Sequence, residues 1–239
     1  MAQHGKRYRD SRASFDREQV YSPVEAVRLL KAMGDTKFDE TVELHFRLGL
    51  NVRHADEQLR GTLMLPHGSG REVRIAVFAE GDKAREAEQA GADVVGSADL
   101  ARRIEEGFTE FDVAIATPDQ MGNVGKLGRI LGPRGKMPNP KTGTVTMDVA
   151  KAVEESKAGK VEYRTDRTAI VHLLIGKTSF PERQLLENYA AVIDELIRAK
   201  PSAAKGKYIR SITVASTMGP GVKVDPSRTR SEQEAPAAA

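Results

Sequence analysis

The chain has 239 residues, 39% hydrophobic and 5% aromatic with no tryptophan, which suits one or two compact domains with cores of Val, Ile, Leu and Ala. The absence of cysteine excludes a disulfide framework and any cysteine-ligated zinc or iron-sulfur site, while the net charge of +3 is weak evidence for a polyanionic partner. No apolar run approaches membrane-spanning length and MAQHGKRYRDSR lacks the core of a signal peptide, so we expect a soluble, cytoplasmic protein.

The first third of the chain has the pattern of a helix followed by a half-buried strand. Residues 1–20 are polar and mixed in charge, which indicates a surface arm. Ser22 and Pro23 mark a helix start, with Ser as the cap and Pro at the first helical position, and Gly34 ends that helix. Apolar and polar residues then alternate in TVELHFRLGL, which predicts a strand with one buried and one solvent-exposed face and therefore an antiparallel sheet.

The periodicity changes after the turn sequence PHGSG at 66–70. Strands (VRIAVFAEG, VVGSA, FDVAIATPD) alternate with helices (KAREAEQAGA, DLARRIEEGF), and MDVAKAVEESKAG forms a further helix capped by Gly159. Buried strands that alternate with helices predict a parallel sheet covered on both sides.

Beyond Gly159 the sequence again has the pattern of strands with one buried and one solvent-exposed face. KVEYRTDR and AIVHLLIGK have the pattern of two strands around a turn, FPERQLLENYAAVIDELIRAK of a long amphipathic helix, and YIRSITVAST of another strand. This part predicts a split α/β sandwich, an antiparallel sheet with helices on one face. The last residues, 231–239, are expected to be a disordered tail.

These patterns predict two domains, a discontinuous one from residues 1–67 and 160–230 and an inserted three-layer α/β/α domain at 68–159. The charge distribution follows the same boundaries. Residues 1–67 carry 11 basic and 10 acidic side chains and residues 160–230 carry 13 and 7, whereas residues 68–159 carry 13 and 15. The discontinuous domain is therefore the better candidate for a polyanionic partner.

A glycine-rich basic segment at 121–145, MGNVGKLGRILGPRGKMPNPKTGTV, has six glycines, five Lys or Arg and no acid. Neither Gly125-Lys126 nor Gly135-Lys136 has the P-loop pattern, because the required upstream glycine is Gln120 or Ile130. The first strand of the inserted domain lacks a dinucleotide fingerprint as well. The residues leave two interpretations open, a segment whose basic side chains contact the phosphates of a nucleic acid, and a loop that is merely shaped by its glycines.

The sequence contains no recognisable arrangement of catalytic residues. The five histidines (4, 45, 54, 67 and 172) form no metal-binding H-x-x-x-H pair, and no G-x-S-x-G motif is present. Catalysis, cofactors and metals are therefore not expected. Two rival functions stay open, a nucleotide-dependent enzyme, which an ATP or GTP titration would test, and a free RNA-binding regulator.

The string IATPDQMGNVGKLGRILGPRGKMPNPKTGTVT resembles the signature of a bacterial family, large-subunit ribosomal protein one. TKFDETVELHFRLG at 36–49, VEYRTDR at 161–167, KPSAAKGKYIRS at 200–211 and STMGPGVKVD at 216–225 also match. The resemblance covers residues 15–228. It implies a two-domain protein of the mobile stalk with large-subunit ribosomal RNA, exit-site tRNA and its own operon mRNA as partners, located on cytoplasmic ribosomes, with no membrane and no obligate protein oligomer.

The resemblance also implies where RNA binds. The family's recognition surface carries over to Lys37, Phe38, Thr41, Glu43, Arg164, Asp166, Arg167, Thr168, Ser211, Thr217, Met218 and Gly219. The sequence departs from the family at two positions, Arg167 in place of the usual Lys and Ala169 where Gly is common. A secondary RNA or tRNA contact is expected at Lys126, Arg129, Arg134, Lys136 and Lys141.

These residue types suit RNA, which is recognised by its shape, its 2′-hydroxyls and its unstacked bases. The hydroxyls of Thr41, Thr168, Ser211 and Thr217 could bind 2′-hydroxyls, and the apolar side chains of Phe38 and Met218 could exclude water from those bonds. Basic side chains would add affinity but no selectivity. From the residues alone, Phe38 could equally be a core aromatic and Thr217-Met218-Gly219 a plain turn.

Overall fold

The computed structural model describes residues 4–34 and 36–227. It divides into two compact units, one formed by Met1–Gly70 with Val161–Ala239 and the other by Arg71–Lys160. We refer to them as the split unit and the inserted unit. The predicted disordered tail at 231–239 lies outside the described residues.

The described residues form both α-helices and β-strands. In order they are α1 (Lys6–Ala13), α2 (Pro23–Ala32), β1 (Thr41–Leu48), β2 (Arg60–Met64), β3 (Ile75–Phe78), α3 (Asp82–Gln89), β4 (Val94–Gly96), α4 (Ala98–Glu105), β5 (Val113–Ala116), α5 (Met121–Lys126), α6 (Gly128–Leu131), α7 (Val149–Lys157), β6 (Lys160–Arg164), β7 (Ile170–Lys177), α8 (Glu182–Arg198), β8 (Ile209–Ser216) and β9 (Val222–Val224).

The split unit is built on a four-stranded antiparallel sheet in the order β7-β1-β8-β9. Val42, Leu44 and Phe46 of β1 are fully buried and belong to the same apolar core as residues of α2 and α8. Each such side chain contributes roughly 1.5–3 kcal/mol on burial. The predicted start of α2 is confirmed, because the Ser22 hydroxyl and the Glu25 carboxylate each accept a hydrogen bond from the other residue's backbone N–H.

The two strands predicted on either side of a turn, β6 and β7, both form but do not pair with each other along their length. β6 pairs with β2 in a separate two-stranded sheet, and a single bridge between Thr165 and Val171 joins the two strands of the prediction. The sequence reading assigned no strand to β2. Gly61 of β2 lies so close to the Tyr163 ring of β6 that an added Cβ would lie 2.6 Å from the tyrosine oxygen.

The inserted unit has the predicted three layers around a parallel sheet in the order β4-β3-β5. Ile75 and Val77 of β3 pack into one apolar cluster with residues of α3 and α7. Ala76 and Phe78, which point to the other side, pack with residues of α4, α5 and α6. Because successive side chains of β3 point to opposite sides of the sheet, this one strand contributes to the apolar clusters on both sides. The predicted fold class is confirmed.

The glycine-rich segment is not simply a loop, since it begins with the helices α5 and α6. Val124, Leu127 and Leu131 recur at helical spacing and are fully buried. Burial of three such side chains, at roughly 1.5–3 kcal/mol each, outweighs the helix penalty of about 1 kcal/mol for each glycine. The sequence reading gave weight to the glycines and overlooked the spacing of these apolar residues.

Candidate nucleic-acid interface

The outward side of the four-stranded sheet is a polar face. Its polar residues include Thr41, Glu43, His45 and Arg47 on β1, His172 on β7, and Ser211 and Thr213 on β8, and the half-buried Leu174 and Ala215 lie beside Glu43. The pairing places His45 beside both His172 and Thr213, and Arg47 beside Ser211. Thr41 and Arg47 are six residues apart on one strand, so the face is roughly 20 Å long.

One end of the polar face, where β1 begins and β8 ends, brings together two segments that contain predicted RNA-binding residues, KFDET at 37–41 and STMG at 216–219. The Thr41 backbone N–H donates to the Thr217 hydroxyl at 3.0 Å, and the Lys177 ammonium donates to the Thr41 hydroxyl at 2.9 Å. Phe38 is 53% exposed and Met218 is 52% exposed. The core alternative for Phe38 is therefore wrong, and large apolar side chains stand in solvent at this end, which we call the KFDET end.

Two acids that the sequence reading passed over hold the KFDET end in place. Asp39 accepts hydrogen bonds from the Thr178 hydroxyl at 2.9 Å and from the Ser179 hydroxyl at 2.7 Å. The Ser179 bond is the main reason that the pKa of Asp39 lies below its usual value, although burial opposes it. Glu40 is buried, and its carboxylate accepts from the Met218 N–H at 3.3 Å. Their partners lie over 130 residues away in sequence, so no local pattern could have revealed them.

The structure requires a glycine at position 219 for a reason that is independent of any ligand. Its backbone N–H donates to the Ser216 hydroxyl at 3.1 Å, and a Cβ added to Gly219 would lie 2.5 Å from that same oxygen. Any larger residue would displace the Ser216 side chain from the turn. The glycine thus shapes the turn that presents Met218.

The opposite end of the polar face carries the other predicted group, in the turn between β6 and β7. The Asp166 carboxylate accepts from the Thr168 hydroxyl at 2.7 Å and from the Ile170 N–H at 2.7 Å. Burial by itself would raise the pKa of Asp166, but these hydrogen bonds lower it below its usual value. The turn includes Ala169 at φ 61°, the only described residue other than glycine with a positive φ. We call this the Asp166 end.

The predicted residues therefore form two groups on the polar face and not one cluster. Lys37, Phe38, Thr41, Glu43, Thr217, Met218 and Gly219 lie towards the KFDET end. Arg164, Asp166, Arg167, Thr168 and Ser211 lie at the Asp166 end, with Arg164, Arg167, Thr168 and Ser211 exposed. Between them lie His45 and His172, for which the sequence analysis noted only that they lack a metal-binding spacing.

The secondary basic residues divide differently. Lys126, Arg129, Arg134 and Lys141 are exposed on the inserted unit. Lys136 is half-buried, and its ammonium donates to the backbone carbonyls of Thr109, at 3.1 Å, and Phe111. The ammonium group of Lys136 is thus already hydrogen-bonded within the protein, whereas the four exposed side chains remain available to an anion.

Two general features limit the chemistry of the described residues. Within 4–34 and 36–227, no three His, Asp or Glu side chains are grouped so that they could hold a metal ion. In the same part of the chain no helix is both long and apolar enough to cross a membrane.

Comparison with known proteins gives consistent matches over nearly the whole chain. The sequence model of the Ribosomal protein L1p/L10e family matches residues 29–220. Large ribosomal subunit protein uL1 of Thermobifida fusca (strain YX) is 58% identical over 230 residues, which cover 96% of this chain and 98% of the relative. The protein of the same name from Rubrobacter xylanophilus is 62% identical over 227 residues, 95% of this chain and 99% of the relative.

Proposed function

The chain belongs to the ribosomal protein L1p/L10e family, and from this premise we propose that it binds large-subunit ribosomal RNA at the mobile stalk and helps deacylated tRNA to leave the exit site. Its relatives are proteins of the large ribosomal subunit. The chain is accordingly a structural component of the cytoplasmic ribosome and not an enzyme. Its RNA contacts are the two groups of residues on the polar face.

The observation that carries the proposed site is the exposure of Phe38 and Met218 at the KFDET end. Exposed apolar side chains next to hydroxyl groups suit RNA, because sugar and base faces are apolar while 2′-hydroxyls need partners. Stacking of one base on an aromatic ring contributes about 1–3 kcal/mol. Arg47, Arg164 and Arg167 at the Asp166 end supply positive charge for phosphates.

The role in tRNA release is tested with large subunits from cells that lack the protein. We expect deacylated tRNA to dissociate more slowly from the exit site of ribosomes with such subunits, and added wild-type protein to restore the rate. The exposed basic residues of the inserted unit, Lys126, Arg129, Arg134 and Lys141, are the proposed tRNA contact. Equal dissociation rates with and without the protein would rule this role out.

We further propose that the chain represses translation of its own operon by binding the leader of that mRNA. A leader that imitates the ribosomal site would use the same polar face, so ribosomal RNA and leader RNA should compete. The measurement is displacement of a labelled ribosomal RNA fragment by unlabelled leader RNA. A complex that holds both RNAs on one protein molecule would disprove the shared site.

A further inference from the structure

Four titratable side chains form a row across the polar face and connect its two ends. The Nδ1 atoms of His45 and His172 lie 2.8 Å apart. The outer nitrogen of His45, Nε2, is 3.9 Å from a Glu43 oxygen, and Nε2 of His172 is 3.7 Å from an Asp166 oxygen. An RNA segment that contacts both the KFDET end and the Asp166 end must pass over this row.

The distance between the two rings limits how many protons the pair can hold. A separation of 2.8 Å between two Nδ1 atoms requires an N–H on one ring and a lone pair on the other. One further proton fits on the outer nitrogen of the donor ring, next to a carboxylate, without breaking this bond. A second further proton would place two N–H groups against each other. The intact pair therefore changes its charge by one.

The surroundings of His45 favour its neutral form in the absence of RNA. Burial, followed by the charge of His172, lowers the pKa of His45 below its ordinary value, and Glu43 only partly opposes them. The other charged groups that face the pair are Arg47 on β1, Asp166 before β7, and Lys223 on β9 beyond Thr213. β8 contributes only the uncharged Thr213 and Ser211 to this part of the face.

We propose that the His45–His172 pair is a phosphate contact within the RNA-binding surface and that it takes up one proton when RNA binds. The inference rests on the proposed function and extends it. An RNA phosphate next to the rings favours the imidazolium form, so binding and protonation support each other. By linkage, RNA affinity decreases as the pH rises, and we expect binding roughly three- to tenfold weaker at pH 8 than at pH 6.

Calorimetry of the full-length protein with a large-subunit ribosomal RNA fragment tests the proton uptake. Titrations at pH 6.5 in two buffers of different ionisation enthalpy give the number of protons bound, which we expect to lie between about 0.5 and 1. The double variant His45→Gln/His172→Gln should take up almost none and lose the dependence on pH. His172→Gln alone, at the more exposed of the two positions, serves if the double variant does not fold.

His54→Gln is the matched control, since His54 is exposed on the loop that follows β1 and is not part of the row of four titratable side chains. It should leave both the affinity and the proton count unchanged. Wild-type binding without proton uptake, or uptake that persists in the histidine variants, would overturn the inference and leave the proposed function intact. Absence of wild-type binding at both pH 6 and pH 8 would overturn both.

Discussion

Met218→Asp is expected to weaken binding to large-subunit ribosomal RNA by about 100-fold or more. Met218 is 52% exposed at the KFDET end, where an added carboxylate would meet sugar and phosphate groups of the RNA. Juxtaposed like charges cost several kcal/mol, and each 1.4 kcal/mol is a factor of about ten in affinity. Phe38→Ala, which removes an aromatic platform but adds no charge, should weaken binding by roughly 10- to 100-fold. Both are measured by filter binding at fixed salt.

Met147→Asp provides a control of the same chemistry in the inserted unit. Met147 is 55% exposed, so the substitution is the same exchange at an equally accessible position. It should change ribosomal RNA binding by less than about threefold, within the range of ordinary surface substitutions. Equal losses from Met147→Asp and Met218→Asp would mean that the polar face does not contain the principal RNA site. Thermal unfolding should be nearly unchanged in both variants, because neither side chain is buried.

Asn188→Leu is expected to lower the free energy of unfolding of the split unit by about 3–5 kcal/mol. Asn188 is fully buried on α8, where its amide donates to the carbonyls of Ile175 at 2.7 Å and Gly68 at 3.1 Å. Its side-chain oxygen accepts from the His67 N–H at 3.1 Å. Leucine keeps the volume but leaves three backbone groups without partners, each at a cost of about 1–3 kcal/mol. Urea unfolding of the full-length protein measures the change.

The control for this substitution is Asn51→Leu in the same unit. Asn51 is exposed, and its side chain accepts only a 3.3 Å hydrogen bond from the Arg53 N–H. Its replacement should cost less than about 1 kcal/mol. A shift below 1 kcal/mol for Asn188→Leu would show that the turn at 65–70 does not depend on this amide. The prediction matters for function because this turn is the last part of the split unit before the chain enters the inserted unit.

Local sequence patterns predicted the structure correctly where residues close in sequence determine it. The alternation in β1 revealed which side chains are buried, and Ser22 with Pro23 marked the start of α2. The same reasoning missed β2 and β9, which are both short. β2 pairs with β6, far along the chain, whereas β9 pairs with the preceding strand β8. The same reasoning also overlooked α5 and α6, because three buried apolar residues outweigh glycines that are unfavourable in a helix.

For the candidate site, the resemblance supplied the residues, and the structure supplied their arrangement. KFDET and STMG meet at one end of the sheet, whereas the Asp166 turn and Ser211 lie roughly 20 Å away at the other. Asp39 and Glu40 were invisible as positioning residues because their partners are Thr178, Ser179 and Met218. For Lys136 the opposite holds. The sequence predicts a contact with RNA or tRNA, but its ammonium group donates to two backbone carbonyls.

The sequence by itself determined the fold class, the two kinds of sheet and the exclusion of common enzyme motifs, because periodicity, caps and motif spacing are local properties. Only the tertiary structure decided which polar residues share a surface, which charges are already paired, and that His45 lies against His172. Sheet pairing between β1 and β7 creates that contact across 127 positions of the chain. Such a contact depends on register, and register follows from the burial of whole strands, not from the residues that eventually meet.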